Sequence, residues 1–458
     1  MASSKDSFTN TSITMQRNYI QTREAKLPST NPIKIQESTT SIETTAGRII
    51  RRVFGILFYV HLILITILVI FLIIHGLLSN VHKHHFHPRK WFPPLLTSAA
   101  SAGIVAFIWQ WITGYTQSTA LKAAFWLSPL LTFAAGILLL LIGSAGALAV
   151  GVIAVVSALI LSLYACWVNP RFEYAKQILS VAMAFYPDKT VVLVILSILI
   201  STLYSCFLMS GIGGVTASRT SLDTLLISVI LLSLAGTMHV IKNTLIVTIS
   251  RVKFLHFACG ADMDICAAFH DKIKYCMGSI CIGSTLVPIL GVIRGSSRAL
   301  KLIAGDRDEF LFSCADCYAG LASTLITYGN RWGFVYVGVY NKGFVQASTD
   351  AWQMLGIAGL ETLIDSDLTG SFCFLFGVAG GAICSLISGT WALAIHENQA
   401  TEVSIYAFLV GYFMCRVAMA WPQACVSAYY IAYAANPQNP QFDSTIPDRI
   451  QELQGYRV

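Results

Sequence analysis

The chain has 458 residues, 55% hydrophobic and only 12% charged, with a mean hydropathy of +0.66. A soluble domain carries about 25% charged residues. This chain has too few to coat a water-exposed surface, which excludes a soluble enzyme. The net charge of +7 and pI near 8.8 fit basic residues gathered on cytoplasmic loops against anionic lipid, not a nucleic-acid footprint.

Residues 1–50 are expected to form a disordered cytoplasmic tail. Residues 1–47 are rich in Ser, Thr, Asn and Gln and lack periodicity, so they cannot bury enough apolar surface to fold alone. The stretch does not read as a cleavable signal peptide. Arg48, Arg51 and Arg52 then abut Val53, a cytoplasmic-side flank for the first span.

A helix needs about 20 apolar residues to cross a bilayer. Residues 53–78 and 95–113 qualify and are free of charge. From 123 to 170 no charge occurs. As a single helix that run would be roughly 70 Å long, so it must fold back, and Gly143-Ser144-Ala145-Gly146 is the natural turn between spans at 123–143 and 147–168. Further spans are expected at 190–213, 224–250, 275–293, 368–395 and 403–435, the last bent at Pro422. Residues 310–341 are apolar enough to cross but hold Asp316 and Arg331, leaving a crossing and a re-entrant path both open. The fold class is an all-α polytopic bundle of about ten spans over 51–435.

With the N-terminus inside, the inside loops hold more Lys and Arg than the outside ones, as expected. Arg294, Arg298, Lys301 and Arg307 are the exception. Residues 342–368 read as an interfacial helix, with Phe344, Ala351, Trp352, Leu355 and Leu363 on one face and Lys342, Gln346, Asp350 and Gln353 polar. Residues 436–458 are expected to be a cytoplasmic tail.

Seven of the cysteines, among them Cys166, Cys373, Cys384 and Cys415, lie in apolar runs as small hydrophobes, and there is no disulfide framework. His82–His87 could hold Zn²⁺ or Cu²⁺ loosely or be a plain exposed loop. Cys314-x-x-Cys317 lacks the further ligands that zinc needs. P-loop, G-x-S-x-G and H-E-x-x-H motifs are all missing, so neither ATP-driven pumping nor hydrolysis is indicated, and no cofactor or metal is expected.

Ions inside a membrane need a reason. Arg416 lies mid-span, Lys242 and His239 in the second half of the sixth span, Asp223 at its edge, and Asp316 in the 310–341 segment. They either line a pathway or fix helix register. No span carries Asp or Glu near its centre, unlike most proton- or sodium-coupled carriers. Trp and Tyr faces attract quaternary ammonium groups, although rings near helix ends also serve as interface belts. The candidate walls for an organic cation are Trp109, Trp111, Trp126, Tyr204, Tyr340 and Tyr412, with Gln110 as a hydroxyl partner. The runs Ser98–Gly103 and Gly377, Gly380, Gly381 allow close helix approach.

Three segments carry a family resemblance: Gly278-Ser279-Ile280-Cys281-Ile282-Gly283-Ser284, the stretch Asn330-Arg331-Trp332 through Asn341-Lys342-Gly343-Phe344, and Ala347-Ser348-Thr349-Asp350-Ala351-Trp352. Together they resemble the choline transporter-like family, in which a G-S-I/L-x-x-G-S/T span precedes an N-x-x-A-Y-x-x-I-A-I-Y-G-K-x-F-type segment. The stretches Pro440–Asp443 and Pro447–Ile450 are similar to its plant and fungal branch. Asn341 stands where that family usually has Gly, and Arg416 in a span usually uncharged there. The resemblance implies transport of choline or a related quaternary amine across the plasma membrane or a Golgi-type endomembrane, among membrane lipids and without nucleic acid. The alternative is a non-transporting membrane protein that organises lipid homeostasis and vesicle traffic. The sequence leaves the oligomeric state open.

Overall fold

In this computed structural model, residues 45–82, 88–184, 189–218, 222–304, 309–395 and 399–455 are described. Most of the 1–50 segment and His84, His85 and His87 of the histidine cluster lie outside that set, as do the side chains of His82, Asp316 and Cys314. The described residues are helical, without strands. Among the described residues nine helical stretches are long and apolar enough to cross a membrane; eight coincide with spans read from sequence to within a residue or extend past them, and the ninth, Ala400–Ala418, covers only the first half of the expected 403–435.

The first six long helices are α1 (Thr45–His82), α2 (Pro88–Tyr115), α3 (Gln117–Ile142), α4 (Ala145–Val168), α6 (Lys189–Ser218) and α7 (Asp223–Cys259), with the short α5 (Phe172–Met183) between α4 and α6. The chain turns back between α3 and α4 at Gly143, whose φ of 75° is left-handed, and Ser144 then caps α4 by accepting from the Ala147 amide at 3.1 Å. Glycine followed by a hydroxyl cap supplies both a helix stop and a start. Helix α8 (Ile265–Ala304) extends well past its predicted end, so Arg294, Arg298 and Lys301 belong to helix rather than loop. Between α7 and α8, Lys189 Nζ donates to Asp264 at 3.2 Å and holds that carboxyl below its ordinary range.

The outer faces are apolar. Ile56, Leu64 and Phe71 of α1 and Leu159 and Leu163 of α4 are exposed, whereas Ile65, Val69 and Leu72 face inward. In lipid this pattern leaves association to close packing of small residues. Gly381 of α13 (Thr369–Ile395) shows it: a Cβ there would sit 2.7 Å from the Phe408 carbonyl oxygen of α14 (Ala400–Ala418).

The 310–341 segment is not one helix. It divides into α9 (Glu309–Tyr328) and α10 (Gly333–Tyr340), interrupted opposite the middle of α8, where Gly329 packs on Leu286 and Leu290. Backbone freed from helix at such depth needs partners. Asn330 Oδ1 accepts from the Trp332 and Gly333 amides, and Asn330 Nδ2 donates to the Ser348 carbonyl. Arg331 Nη2 donates to Asp367 Oδ2 at 2.5 Å, while Asp367 Oδ1 accepts from the Thr369 amide and hydroxyl at the start of α13. Helix α10 ends at Asn341, at φ 55° the only described non-glycine residue with positive φ. Asn adopts this conformation more readily than most residues, so it can stand where a Gly is expected.

The 342–368 segment is two helices rather than one, α11 (Phe344–Ile357) and α12 (Glu361–Ser366), parted at Gly359, which has φ 68°. Phe344, Ala351, Leu355 and Leu363 are buried, and Trp352 is half-buried. The predicted bend in the last span is a break: α14 stops at Ala418 and α15 (Ala420–Ala435) begins, because Pro422 cannot donate to the carbonyl four residues back. Helix α15 is buried along nearly its whole length, and its Ala420-x₃-Ala424-x₃-Ala428 stripe lets Ser250 of α7 reach the Ala424 carbonyl. Residues 436–455 dock on the body. Tyr429 donates to Asp443 at 2.8 Å, Asn439 to the Phe257 and Ala258 carbonyls, and Ile446 of α16 (Thr445–Gly455) is fully buried.

Asp367→Ala should lower the thermal unfolding midpoint in detergent by the equivalent of about 3–5 kcal/mol, since it strands the Arg331 charge. Arg331→Ala added to it should restore part of the loss; an unchanged midpoint in the single variant contradicts this reading. Asn341→Val should cost about 1–2 kcal/mol through left-handed backbone strain, and more through loss of the Oδ1 that accepts from the buried Lys272 Nζ, read in the same melt.

Candidate functional site

The last two turns of α2 present Phe107, Gln110, Trp111, Gly114 and Tyr115 on one face, at the three- and four-residue spacing that aligns helical side chains. Together with Val191 and Ile195 of α6 and Trp421 of α15, they line a cavity of about 380 Å³. That volume falls within the range of small-molecule sites, about 300–1,000 Å³. Trp421 stands at the second residue of α15, just past the helix break, and is 2% exposed. Gly114 keeps the space open: a Cβ there would lie 3.7 Å from the Trp421 ring. Trp111 and Tyr115 form the exposed rim.

Gln110 is the unusual member. It is 4% exposed, and among the described residues both its Nε2 and its Oε1 are buried without a hydrogen-bond partner. Leaving a buried polar group unmatched costs about 1–3 kcal/mol. An amide held unmatched beside four rings is equipped to bind a molecule with an apolar or soft cationic end and a hydroxyl.

The other predicted wall residues lie elsewhere. Trp109 turns away from the cavity, buried against Phe376 of α13 at 4.2 Å between ring centres. Trp126 points outward from α3 and is about half exposed. The Tyr204 hydroxyl is shared with Ser233 at 2.8 Å and Thr237 at 3.1 Å, in a network that His61 of α1 joins through Ser233. Tyr340 packs at a tilt against Tyr336, with ring centres 5.0 Å apart, and Lys342 Nζ lies 5.8 Å from its ring centre. Tyr412 packs against Phe413 and Phe408 and borders Gly377. Of the seven, the structure brings together Gln110 and Trp111. Phe107 and Tyr115 were missed; their spacing with Trp111 along α2 was the available signal. Trp421 gave none, because it lies hundreds of residues from α2 in sequence and meets it only in the fold.

A second polar group forms where α7, α13 and α14 meet. Lys242 is 7% exposed, and it, His239 and Arg416 lie within electrostatic reach of one another and around Cys373. Arg416 packs beside Gly377, and its Nε is buried without a partner. Among the described residues neither Lys242 nor Arg416 forms an ion pair. The Asn243 amide donates to Ser284 of α8 at 2.9 Å. Like-signed charge makes this region repel a cation. A second cavity, of about 450 Å³ between α3, α4, α13 and α14, is walled by apolar side chains such as Leu139, Ile153, Phe374 and Phe408, with Ser and Thr as its polar members.

Comparison with known proteins adds two findings. Over 231 residues the chain is 23% identical to Protein PNS1 of Debaryomyces hansenii, covering 47% of this chain and 45% of that protein. It is 25% identical over 209 residues to Protein PNS1 of Yarrowia lipolytica, and 23% over 201 residues to Protein PNS1 of Saccharomyces cerevisiae. The chain thus spans less than half the length of these curated relatives in the matched regions. Residues 137–438 match the family described as plasma-membrane choline transporter. That match begins in α3 and passes the end of α15, taking in both helix breaks, and so this polytopic membrane chain belongs to the plasma-membrane choline transporter family.

Proposed function

We propose that this protein carries choline or a closely related quaternary amine across the plasma membrane by facilitated diffusion, without a coupling ion. The observation that supports it best is the cavity of Phe107, Gln110, Trp111, Tyr115 and Trp421. A trimethylammonium group has no N–H to donate, so hydrogen-bond acceptors cannot select it. Ring faces can, each adding about 0.5–2 kcal/mol. Gln110 then takes the substrate hydroxyl, which satisfies its orphaned amide. Family membership favours transport over an enzymatic role.

The driving force follows from the substrate's own charge. One elementary charge crossing 100 mV is worth about 2.3 kcal/mol, or on the order of 50-fold accumulation. A uniporter of this kind needs no buried carboxylate, and among the described residues none lines the cavity.

In proteoliposomes holding only the purified chain, labelled choline uptake should be saturable and independent of sodium and proton gradients. It should steepen when a potassium diffusion potential makes the interior negative. No saturable uptake, or uptake that requires an ion gradient, contradicts the proposal. Trp111→Ala and Gln110→Ala should each raise KM about tenfold, as expected for losing one ring or one hydrogen bond worth about 1–2 kcal/mol. Lys242→Met should leave KM within about twofold, since a cation route lies away from like charge. Abolished uptake in a folded Lys242→Met protein would move the route to the α7–α13–α14 junction.

A further inference from the structure

At the N-terminal end of α1, Arg48, Arg51 and Arg52 meet Lys274 and Tyr275 of α8 around a cavity of about 460 Å³, which Gly55, Ile56, Tyr59, Ile273, Met277 and Gly278 complete. Glycine decides the meeting. A Cβ on Gly278 would overlap the Arg51 carbonyl, so only Gly lets the α1 backbone lie directly on α8. Arg51 is also tied down, its Nη1 donating to the Asn341 carbonyl at 3.1 Å. Arg48, Arg52 and Lys274 are exposed, and Lys274 Nζ lies 5.1 Å from the Tyr275 ring centre.

Four basic residues line this cavity, and among the described residues no Asp or Glu does. The nearby carboxylate of Asp271 is engaged elsewhere, by Arg251 at 3.0 Å and Lys272 at 3.8 Å. Arg48, Arg52 and Lys274 therefore concentrate positive charge at this end of the cavity. Its chemistry is also two-ended: the guanidinium groups crowd one end, while Ile56, Met277 and the ring of Tyr59 supply an apolar wall, with Ile56 and Tyr59 largely exposed. A free anion would need only the first end. We infer that this cavity binds the headgroup of an anionic phospholipid, with phosphate held by Arg48, Arg52 and Lys274 and the upper acyl chain laid along Ile56 and Met277. Basic pockets between helices at this depth suit such headgroups. Arg51, fixed between α8 and Asn341, shapes the pocket floor.

The test uses the full chain in phosphatidylcholine nanodiscs doped with phosphatidylinositol 4-phosphate, with retained lipid read by native mass spectrometry. The wild-type protein should retain the anionic lipid in preference to phosphatidylcholine. The Arg48→Gln/Arg52→Gln/Lys274→Gln protein should bind it roughly 100-fold more weakly, from three basic residues lost near the surface. Lys176→Gln, an exposed basic residue of α5 paired with Glu173, should bind as wild type, and excess inorganic phosphate should not displace the lipid. The inference is overturned if wild type shows no preference over phosphatidylcholine, or if the triple variant binds undiminished. It is equally overturned if Lys176→Gln loses as much, marking a diffuse surface effect, or if inorganic phosphate competes fully, marking a free-anion site. The preference of the unaltered protein is decisive even if the triple variant fails to fold.

Discussion

Backbone polar groups inside a bilayer find no water, and this constraint organises the whole molecule. Most of the chain obeys it by remaining helical. Two places do not: the gap between α9 and α10, and the break between α14 and α15. At the first, Asn330 and Asp367 take the place of the missing helix partners, and Arg331 balances the Asp367 charge. At the second, Pro422 withholds a donor from the Ala418 carbonyl alone: the Met419 amide still reaches Cys415, and the Met419 carbonyl keeps the Gln423 amide and also receives the Cys373 thiol at 3.7 Å. Irregular backbone survives at depth only where protein closes around it.

One break also lies beside the candidate site. Trp421, two residues past Met419, is buried, and its ring reaches Gly114 of α2. The separate group of Lys242, His239 and Arg416 lies at a different junction, where the Arg416 guanidinium, rather than ring faces, sets the local charge.

Local patterns were legible in the sequence. The Gly143-Ser144 turn was readable because a left-handed glycine and a hydroxyl cap act within four residues. The long apolar runs gave the nine crossing helices, since length and hydropathy are properties of the run itself. The division of 310–341 was not readable to that degree. It depends on Asp367, which lies more than thirty residues from Arg331 in sequence and meets it only in the fold. The 342–368 segment has the buried face expected of it, but Gly359 splits it. Asn341 was visible as a departure from a family glycine, and its positive φ explains why the departure is tolerated.

Site residues were the least legible. Ring type alone selected Trp109, Trp126, Tyr204, Tyr340 and Tyr412, and packing sends each to a separate environment. Gln110 and Trp111 share the cavity because they lie on the same face of α2 as Gly114. The most direct measurement of the central claim is a high-resolution map of the protein with choline bound. The account predicts ligand density with the ammonium within about 6 Å of the Trp111 and Trp421 ring centres and the hydroxyl at hydrogen-bond distance from Gln110. Density instead beside Lys242 and Arg416, or ring-free density anywhere in the bundle, would contradict it.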